Sequence, residues 1–96
     1  MTDLIFSPAA QNDIEGIYDY TAQQWGAAQA EHYVGALRDI CHGLAQGKQQ
    51  GRDIGHVRVG YRKKASGSHF IFYRESSAGI EIVRVLHRRM DLTRHL

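Results

Sequence analysis

GIEIVRVLHRRMDLTRHL, residues 79–96, is the stretch that decides the fold of this chain. Its first half is apolar and rich in β-branched side chains, which is typical of a strand that exposes little surface. The residues that carry this pattern are Ile80, Ile82, Val83, Val85 and Leu86. We therefore predict a strand inside a sheet rather than at its edge, with the other elements arranged around it.

The second half of the same stretch is a cluster of cations. Asp91 is the only acidic residue within that cluster, which comprises Arg84, His87, Arg88, Arg89, Arg94 and His95. So many positive charges at close spacing need an anionic partner or full hydration. The cluster is therefore the first candidate for a binding surface.

The net charge of +2 hides a strong asymmetry along the chain. Residues 1–47 hold one basic and six acidic residues, a net charge of −5, whereas residues 48–96 hold eleven and four, a net charge of +7. Such polarity indicates a nucleic-acid or acidic protein partner, although a solvated charged surface would give the same count.

The 96 residues fit a single domain, 1–96, with one main core. No apolar run approaches the roughly 20 residues of a membrane span or the core of a signal peptide, so we expect a cytoplasmic location. The single cysteine, Cys41, lies on the apolar face of a predicted helix. We interpret it as a small buried hydrophobe rather than a reactive thiol.

The chain begins with a short apolar run, Asp3 to Phe6, that predicts a first strand. Ser7 and Pro8 follow as a helix N-cap and a first helical residue. Gly26 is placed to end that helix. Its predicted inner stripe is Ala10, Ile14, Ile17, Tyr18, Thr21 and Trp25, with Asp13, Glu15 and Asp19 on the outer side.

A second helix should begin within two or three residues and continue to Gly47. Its apolar stripe is Ala30, Tyr33, Val34, Leu37, Ile40, Cys41 and Leu44. The short turn between the helices predicts an antiparallel hairpin with both stripes against one sheet. Gly16 and Gly35 lie off the two stripes, and each costs about 1 kcal/mol relative to Ala without a packing reason visible in the sequence.

The remaining chain predicts a loop and three strands. Residues 47–56 are polar and glycine-rich, and residues 57–64 then alternate Val59 and Tyr61 with basic residues. A turn at Ser66 and Gly67, a strand over 68–75 and a turn over 76–79 complete a meander. The fold class is therefore α+β, with the order β-αα-βββ and a two-helix hairpin on one face of an antiparallel sheet.

Four segments resemble the ParE toxins of bacterial type II toxin–antitoxin modules, within the RelE/ParE superfamily. They are SPAA (7–10), IYDYTAQQWG (17–26), GYRKKASGSHFIFYR (60–74) and IEIVRVLHRRMDLTRHL (80–96). Together they cover most of the chain. The loop GKQQGRDIGHVRVG (47–60) departs from the family in lacking the proline common after the second helix.

The resemblance implies the same β-αα-βββ fold and a ParD-like antitoxin, whose C-terminal segment wraps the toxin while its N-terminal part binds operator DNA. It also implies DNA gyrase as the target, whereas RelE-like relatives cut messenger RNA on the ribosome. Because one fold hosts both activities, the choice depends on the site. A third possibility is a basic domain that only regulates transcription with its antitoxin.

A ribonuclease would need groups that move protons and stabilise a phosphodiester. Arg84 and Arg88 could hold phosphate, and His87 is the obvious acid or base. Arg58 and Arg62 could approach from a neighbouring strand. However, no Tyr or Glu lies beside His87 in the sequence, and the nearest tyrosine is Tyr73. We therefore expect no catalytic site; in the alternative of a ribonuclease, His87 and Arg84 would be the catalytic residues.

Metal and nucleotide sites have little support in the sequence. The six histidines show no ligand-like spacing, and no glycine-rich phosphate loop follows a strand. Base stacking on Tyr61, Phe70 or Tyr73 is conceivable, but aromatic residues of a small sheet are mostly core. We expect no metal, no cofactor and no small-molecule substrate.

The sequence thus predicts a protein that acts by binding. Its expected gyrase-contacting residues are Arg84, His87, Arg88, Arg89 and Arg94. The sheet face away from the helices should be an exposed apolar groove rimmed by Arg and Lys, where the antitoxin docks on Arg58, Arg62, Phe70, Phe72 and Ile82. The core between hairpin and sheet should include Trp25, Leu37, Leu44, Val83 and Val85.

Overall fold

Five strands form one sheet, and a hairpin of two helices packs on one of its faces. The computed structural model describes residues 3–90 and 92–96, so Asp91, the predicted acid of the cationic cluster, lies outside the described residues. The elements are β1 (Asp3–Phe6), α1 (Pro8–Trp25), α2 (Ala27–Ala45), β2 (Arg52–Asp53), β3 (Tyr61–Ser66), β4 (His69–Ser76), β5 (Gly79–His87) and α3 (Leu92–His95). None of the helices in these residues has the length and apolar character needed to span a bilayer.

The strand order is β1-β5-β4-β3-β2, so β5 lies inside the sheet as the sequence predicted. β5 pairs in parallel with β1, and all other neighbours are antiparallel, which makes the sheet mixed rather than wholly antiparallel. Gly79 begins β5 with φ +144°, and a Cβ there would collide with the backbone of Asp3 on β1. The absence of a side chain therefore lets the two strands approach.

The helix boundaries follow the predicted signals. Ser7 accepts a hydrogen bond from the backbone N–H of Ala10 (3.0 Å), and Pro8 is the first helical residue. Gly26, with φ +95°, ends α1 and is followed at once by α2. The α+β fold with its helical hairpin is confirmed.

The main core lies between the hairpin and the sheet face that it covers, which we call the hairpin face. Leu37, Leu44 and Val85 belong to it, as predicted. Cys41 is also buried there, as predicted, and burial raises the pKa of its thiol to about 12. The wider cluster includes Ala10, Ile14, Ile17, Val34, Ile71, Tyr73, Ile80 and Ile82.

A β-bulge in β5 decides which side chains face the hairpin. Tyr73 of β4 pairs with Ile82, but the next residue, Phe72, pairs with Arg84, so Val83 is an extra residue. Ile82 lies in the main core before the bulge, and Val85 lies there after it. The bulge explains why the apolar residues of β5 do not alternate strictly along the sequence.

The opposite side of the sheet, which we call the far face, carries a second small cluster. Ile54, Tyr61, Phe72 and Leu86 are buried there, with Phe70, Val83 and Leu96 packed against them. The residues over 54–60 and the end of the chain therefore cover much of the apolar groove that we predicted to be open.

Several boundaries and placements predicted from the sequence were wrong. The strand predicted to start at Val57 starts at Tyr61, and Val59 is 90% exposed in the preceding turns. The loop over 47–56 contains the short edge strand β2, which pairs with β3. Val83 packs on the far face because of the bulge, and Trp25 is 67% exposed at the end of α1 rather than in the core.

Asp13 joins α1 to β5 through three hydrogen bonds. Its carboxylate accepts from Nε and Nη2 of Arg84, both at 2.8 Å, and from the backbone N–H of Val85 at 2.9 Å. The prediction that Asp13 lies on the outer side of α1 was therefore wrong. Bidentate contacts of this kind are stronger than neutral hydrogen bonds.

The same edge of β5 is held by Ser7. β1 ends at Phe6, opposite Ile82, so the later residues of β5 have no strand on that side. The Ser7 N–H donates to the carbonyl of Ile82 (2.9 Å), and its hydroxyl donates to the carbonyl of Val83 (2.7 Å). Ser7 and Asp13 thus satisfy an edge that would otherwise expose backbone groups.

Truncating Leu37 to Ala should lower the free energy of unfolding by about 2–5 kcal/mol, because the side chain is fully buried between hairpin and sheet. Chemical denaturation measures the loss. Val59→Ala, which shortens an exposed aliphatic side chain, should change stability by less than about 0.5 kcal/mol. Equal effects of the two variants would contradict the described core.

Replacing Asp13 with Asn should lower the free energy of unfolding by about 1–3 kcal/mol, because it leaves the partly buried Arg84 without its counter-ion. The matched control is Glu81→Gln, which breaks the more exposed pair with Arg74 and should cost at most about 1 kcal/mol. Denaturation midpoints of the two variants can be compared directly. A larger loss for Glu81→Gln would argue against the role given to Asp13.

Candidate functional site

The end of β5 brings together part of the predicted gyrase-contacting set. His87 is the last residue of the strand, and Arg88 and Arg89 form the turn that follows it. All three are exposed. Arg94 lies in the short helix α3 and is also exposed. The structure therefore places several exposed basic residues around this end of the sheet.

Arg84 differs from these exposed cations because it is engaged within the protein. Its bidentate pair with Asp13 raises the pKa of the guanidinium through hydrogen bonding. Its Nη1 also approaches the carbonyl of His95 at 3.4 Å. Arg84 thus connects β5, α1 and the last residues of the chain, and its guanidinium is already neutralised.

The predicted antitoxin-contacting residues divide into accessible and buried ones. Phe70 is partly buried on the far face, with Lys63 (4.4 Å) and Arg88 (5.1 Å) over its ring. Phe72 and Ile82 are buried, so neither side chain offers surface to a partner in this structure. They instead support the two apolar clusters.

Arg58 and Arg62 make contacts of their own near that face. Arg58 donates to the carbonyl of Leu96 at 2.6 Å and lies over the ring of Tyr61 at 5.5 Å. Arg62 donates to the carbonyl of Gly51 at 3.2 Å. Both guanidinium groups hold neighbouring segments of the chain, which limits how far they can turn towards a partner.

Two histidines face each other across β4 and β5 on the side of the hairpin. His69 and His87 are paired in register, and their ring centroids lie 5.4 Å apart. The hydroxyl of Tyr33, on α2, lies 2.7 Å from Nδ1 of His69. Three elements therefore contribute to a chain of contacts Tyr33–His69–His87 that was not visible in the sequence.

The hydrogen bonds around these rings constrain where their protons lie. Tyr33 Oη accepts the backbone N–H of Ser68 at 2.9 Å, and it lies 2.7 Å from Nδ1 of His69 and 3.3 Å from the carbonyl oxygen of Ser66. Nδ1 of His87 accepts the backbone N–H of Arg89 at 3.2 Å. In its neutral form the His87 ring therefore carries its proton on Nε2, and the His69 ring does so in the tautomer whose Nδ1 accepts the Tyr33 hydroxyl.

The electrostatic setting of His69 favours the neutral ring. Burial lowers the pKa of His69 below its ordinary value, the nearby His87 lowers it further, and Asp13 opposes these effects. A neutral His69 whose Nδ1 accepts the Tyr33 hydroxyl presents an Nε2 N–H donor, and among the residues that the structure describes no acceptor for it is found. The same holds for Nε2 of His87 within residues 3–90 and 92–96.

The two histidines line a depression between α1 and the ends of β4 and β5, which we call the histidine cleft. It consists of two adjoining cavities of about 430 and 340 Å³, both lined by Tyr20, His69 and His87. Gly16 and Met90 line the first cavity, and Trp25 and Tyr33 line the second. The cleft thus combines two N–H donors with apolar walls.

Large apolar side chains surround this cleft and face solvent. Tyr20 is 60% exposed and Met90 49%, and Trp25 stands edge-on to Tyr20 with ring centroids 6.3 Å apart. Exposed aromatic and methionine side chains that cluster around a concavity mark interaction sites more often than isolated ones do. The cleft is therefore a candidate functional site of its own.

Sequence analysis missed this cleft because its members come from distant parts of the chain. Tyr33 was assigned to the apolar stripe of α2, and His69 was given no role. Tyr73, the tyrosine nearest to His87 in sequence, instead accepts the N–H of Gly51 at 2.7 Å. A usable signal was the turn predicted over 76–79, because a short turn between β4 and β5 places the two strands in register and His69 opposite His87.

Folding stability should decrease as the pH falls below about 6.5, the ordinary pKa of histidine. The pKa of His69 is lower in the folded protein than in the unfolded chain. The contribution of His69 to stability is therefore complete above the unfolded pKa, and it is lost as the pH falls from that value through the folded pKa. Urea denaturation between about pH 8 and pH 5 tests this. The dependence should weaken in His69→Gln and persist in His32→Gln, which replaces an exposed histidine of α2; identical profiles for both would contradict it.

Sequence relatives identify the family across nearly the whole chain. A family model described as ParE toxin of type II toxin-antitoxin system, parDE, matches residues 4–92. A "Toxin ParE1" of Mycobacterium tuberculosis (strain H37Rv) is 45% identical over 93 residues, covering 96% of this chain and 95% of the relative. A "Toxin ParE1" of Caulobacter vibrioides is 39% identical, with coverages of 94% and 93%. A "Toxin ParE" of Escherichia coli is 32% identical, with coverages of 100% and 94%.

Solved structures show the same fold. A chain of the chromosomal ParDE toxin–antitoxin system from P. aeruginosa superposes with a TM-score of 0.77 at 21% identity, covering 91% of this chain and 96% of that one. A chain of the YoeB–YefM complex from Staphylococcus aureus gives 0.59 at 16% identity, with coverages of 92% and 98%. Because the family model and relatives above 30% identity extend over almost its full length, this chain belongs to the ParE toxin family of type II toxin–antitoxin systems.

Proposed function

We propose that this chain is a toxin that inhibits DNA gyrase by binding to it, and that a ParD-like antitoxin keeps it inactive. Family membership supports the toxin role, and the similar P. aeruginosa structure is that of a ParDE system. Cytoplasmic location accords with an intracellular target. The antitoxin, rather than this chain, would contact operator DNA.

The observation that carries the proposal is the exposed cationic surface at the end of β5. His87, Arg88 and Arg89 are consecutive and exposed there, and Arg94 follows in α3. Arg84 does not belong to this exposed surface, because its guanidinium is paired with Asp13 of α1. An exposed cationic surface favours rapid, specific association with an anionic partner surface.

The contacts of the same residues argue against phosphodiester cleavage. Arg84 and Arg88 were the two groups that could hold phosphate beside His87. Arg84 is neutralised by Asp13, and Arg88 stacks over Phe70 on the far face. His87 projects towards the opposite side of the sheet, next to His69. The acid-base candidate and its expected phosphate ligands are therefore separated.

One observation favours a RelE-like, ribosome-dependent ribonuclease as the second candidate. The Tyr33–His69–His87 chain supplies the neighbouring groups that were missing beside His87 in the sequence. Two neighbouring histidines can act as an acid and a base in one reaction. This candidate requires His87 and His69 to be essential for toxicity.

The antitoxin would contact those residues of the far face that are accessible. Phe70 offers a partly exposed ring flanked by Lys63 and Arg88, and Arg58 lies nearby over Tyr61. An acidic, amphipathic segment fits this combination of apolar surface and positive rim. Such binding should weaken with salt but survive it, because apolar contacts are not screened.

Replacing both Arg88 and Arg89 with Ser should weaken inhibition of gyrase supercoiling by about tenfold or more, because two cations leave one contact surface. The matched control Arg88→Lys with Arg89→Lys keeps both charges and should retain most of the inhibition. Both variants leave the buried residues of β5 unchanged.

The same preparations should be tested in a translating extract for cleavage of ribosome-bound messenger RNA, with His87→Ala included. General acid-base catalysis contributes about 10²–10⁴ in rate, so a ribonuclease would lose nearly all cleavage in His87→Ala. Parent protein that leaves gyrase untouched and cuts messenger RNA in a His87-dependent way would replace the gyrase proposal with the ribonuclease.

A further inference from the structure

The histidine cleft contains a glycine that the fold does not need. Gly16 lies in the interior of α1, where Gly costs about 1 kcal/mol relative to Ala. A Cβ built on Gly16 meets nothing within 4 Å, so no neighbour in the described part of the chain requires the missing side chain. Yet Gly16 lines the larger cavity of the cleft. Its small size keeps that cavity open.

The cleft also presents hydrogen-bond donors without acceptors. Nε2 of His87 carries an N–H group, and Nε2 of His69 carries one in the tautomer whose Nδ1 accepts the Tyr33 hydroxyl. The centroids of the two rings lie 5.4 Å apart. Two such donors suit one carboxylate, which accepts at both oxygens. Next to them, the exposed side chains of Tyr20 and Met90 suit an apolar group.

The charges around the cleft determine how an occupant must lie. Arg89 follows His87 closely at the strand end, whereas Glu15 and Asp19 are exposed on α1. A segment in the cleft would therefore turn its acidic side towards the strand end and its apolar side towards Gly16 and Tyr20. An acidic, amphipathic helix has this distribution, with apolar anchors three or four residues apart.

We propose that the histidine cleft is a docking site for an acidic, amphipathic segment of the antitoxin, which places a carboxylate on His69 and His87 and an apolar side chain over Gly16. This rests on the proposed toxin–antitoxin function and adds a contact separate from the far face. Because His87 lines the cleft and also belongs to the target-contacting residues, a segment bound there would cover part of the target-contacting surface. Neutralisation would then follow from steric exclusion.

Filling the cleft tests the proposal without removing any contact of the fold. Gly16→Leu places a side chain in the larger cavity, and α1 should tolerate it because the position has space and Leu favours helix. Binding to a cognate ParD-like antitoxin should weaken by about 30-fold or more, as expected when a central anchor is excluded. Isothermal titration measures the dissociation constant.

The matched control is Gly35→Leu. Gly35 is likewise a helix-interior glycine with nothing within 4 Å of an added Cβ, but it lies on α2 and lines neither cavity of the cleft. Its antitoxin affinity should equal that of the parent. Thermal melting of both variants should show equal or increased stability.

A second readout uses the titration of the two histidines. A carboxylate on His69 and His87 favours their charged forms, so binding takes up protons and antitoxin affinity should rise severalfold from about pH 8 to pH 6. In the double variant His69→Gln with His87→Gln the rise should disappear. Trp25, the single tryptophan, labelled as 5-fluorotryptophan should also shift its fluorine resonance on binding.

Parental antitoxin affinity in Gly16→Leu, together with an unchanged Trp25 resonance, would overturn the proposal. Loss of gyrase inhibition in Gly16→Leu with full antitoxin binding would assign the cleft to the target and overturn it as well. These outcomes test the cleft proposal and can be distinguished from a failure of the proposed toxin function. A parent protein that binds antitoxin through the cleft but leaves gyrase untouched would refute only the gyrase target.

Discussion

The contact of Asp13 with Arg84 and the backbone of Val85 is the constraint on which the functional end of the molecule depends. β1 stops opposite Ile82, so the second half of β5 has a strand on one side only. Asp13 and Ser7 supply hydrogen bonds on the other side. They fix α1 against the strand, and the cleft between α1 and His87 exists because this distance is held.

The elements of the fold could be predicted from the sequence because their signals are local. The cap at Ser7, the terminator at Gly26 and the apolar period of α2 each act within a few residues. The first half of the strand predicted over 57–64 was wrong, because the alternation of Val59 with arginines looks like a strand, whereas residues 54–60 form turns. Alternation shows that a strand is possible, not that a neighbour exists to pair with it.

The candidate site was predicted only where its residues are consecutive. His87, Arg88 and Arg89 adjoin in sequence, so their cluster was visible. Tyr33 and His69 come close to His87 only through tertiary packing, and Tyr33 and His69 themselves are 36 residues apart in the sequence. The placement of Asp13 was wrong for a related reason. Its angular position on α1 is near the boundary of the apolar stripe, and its partly buried partner, Arg84, lies 71 residues away in the sequence.

The bulge at Val83 has a consequence for how β5 can change its length. Before it, even-numbered residues such as Ile82 face the hairpin; after it, odd-numbered residues such as Val85 do. Straightening the bulge with Val83 retained would restore strict alternation and exchange the two sides for everything beyond it. His87 would leave His69, and Leu86 would move into its place. Insertions and deletions in this strand are therefore constrained by parity, so that a change of two residues disturbs the surface less than a change of one.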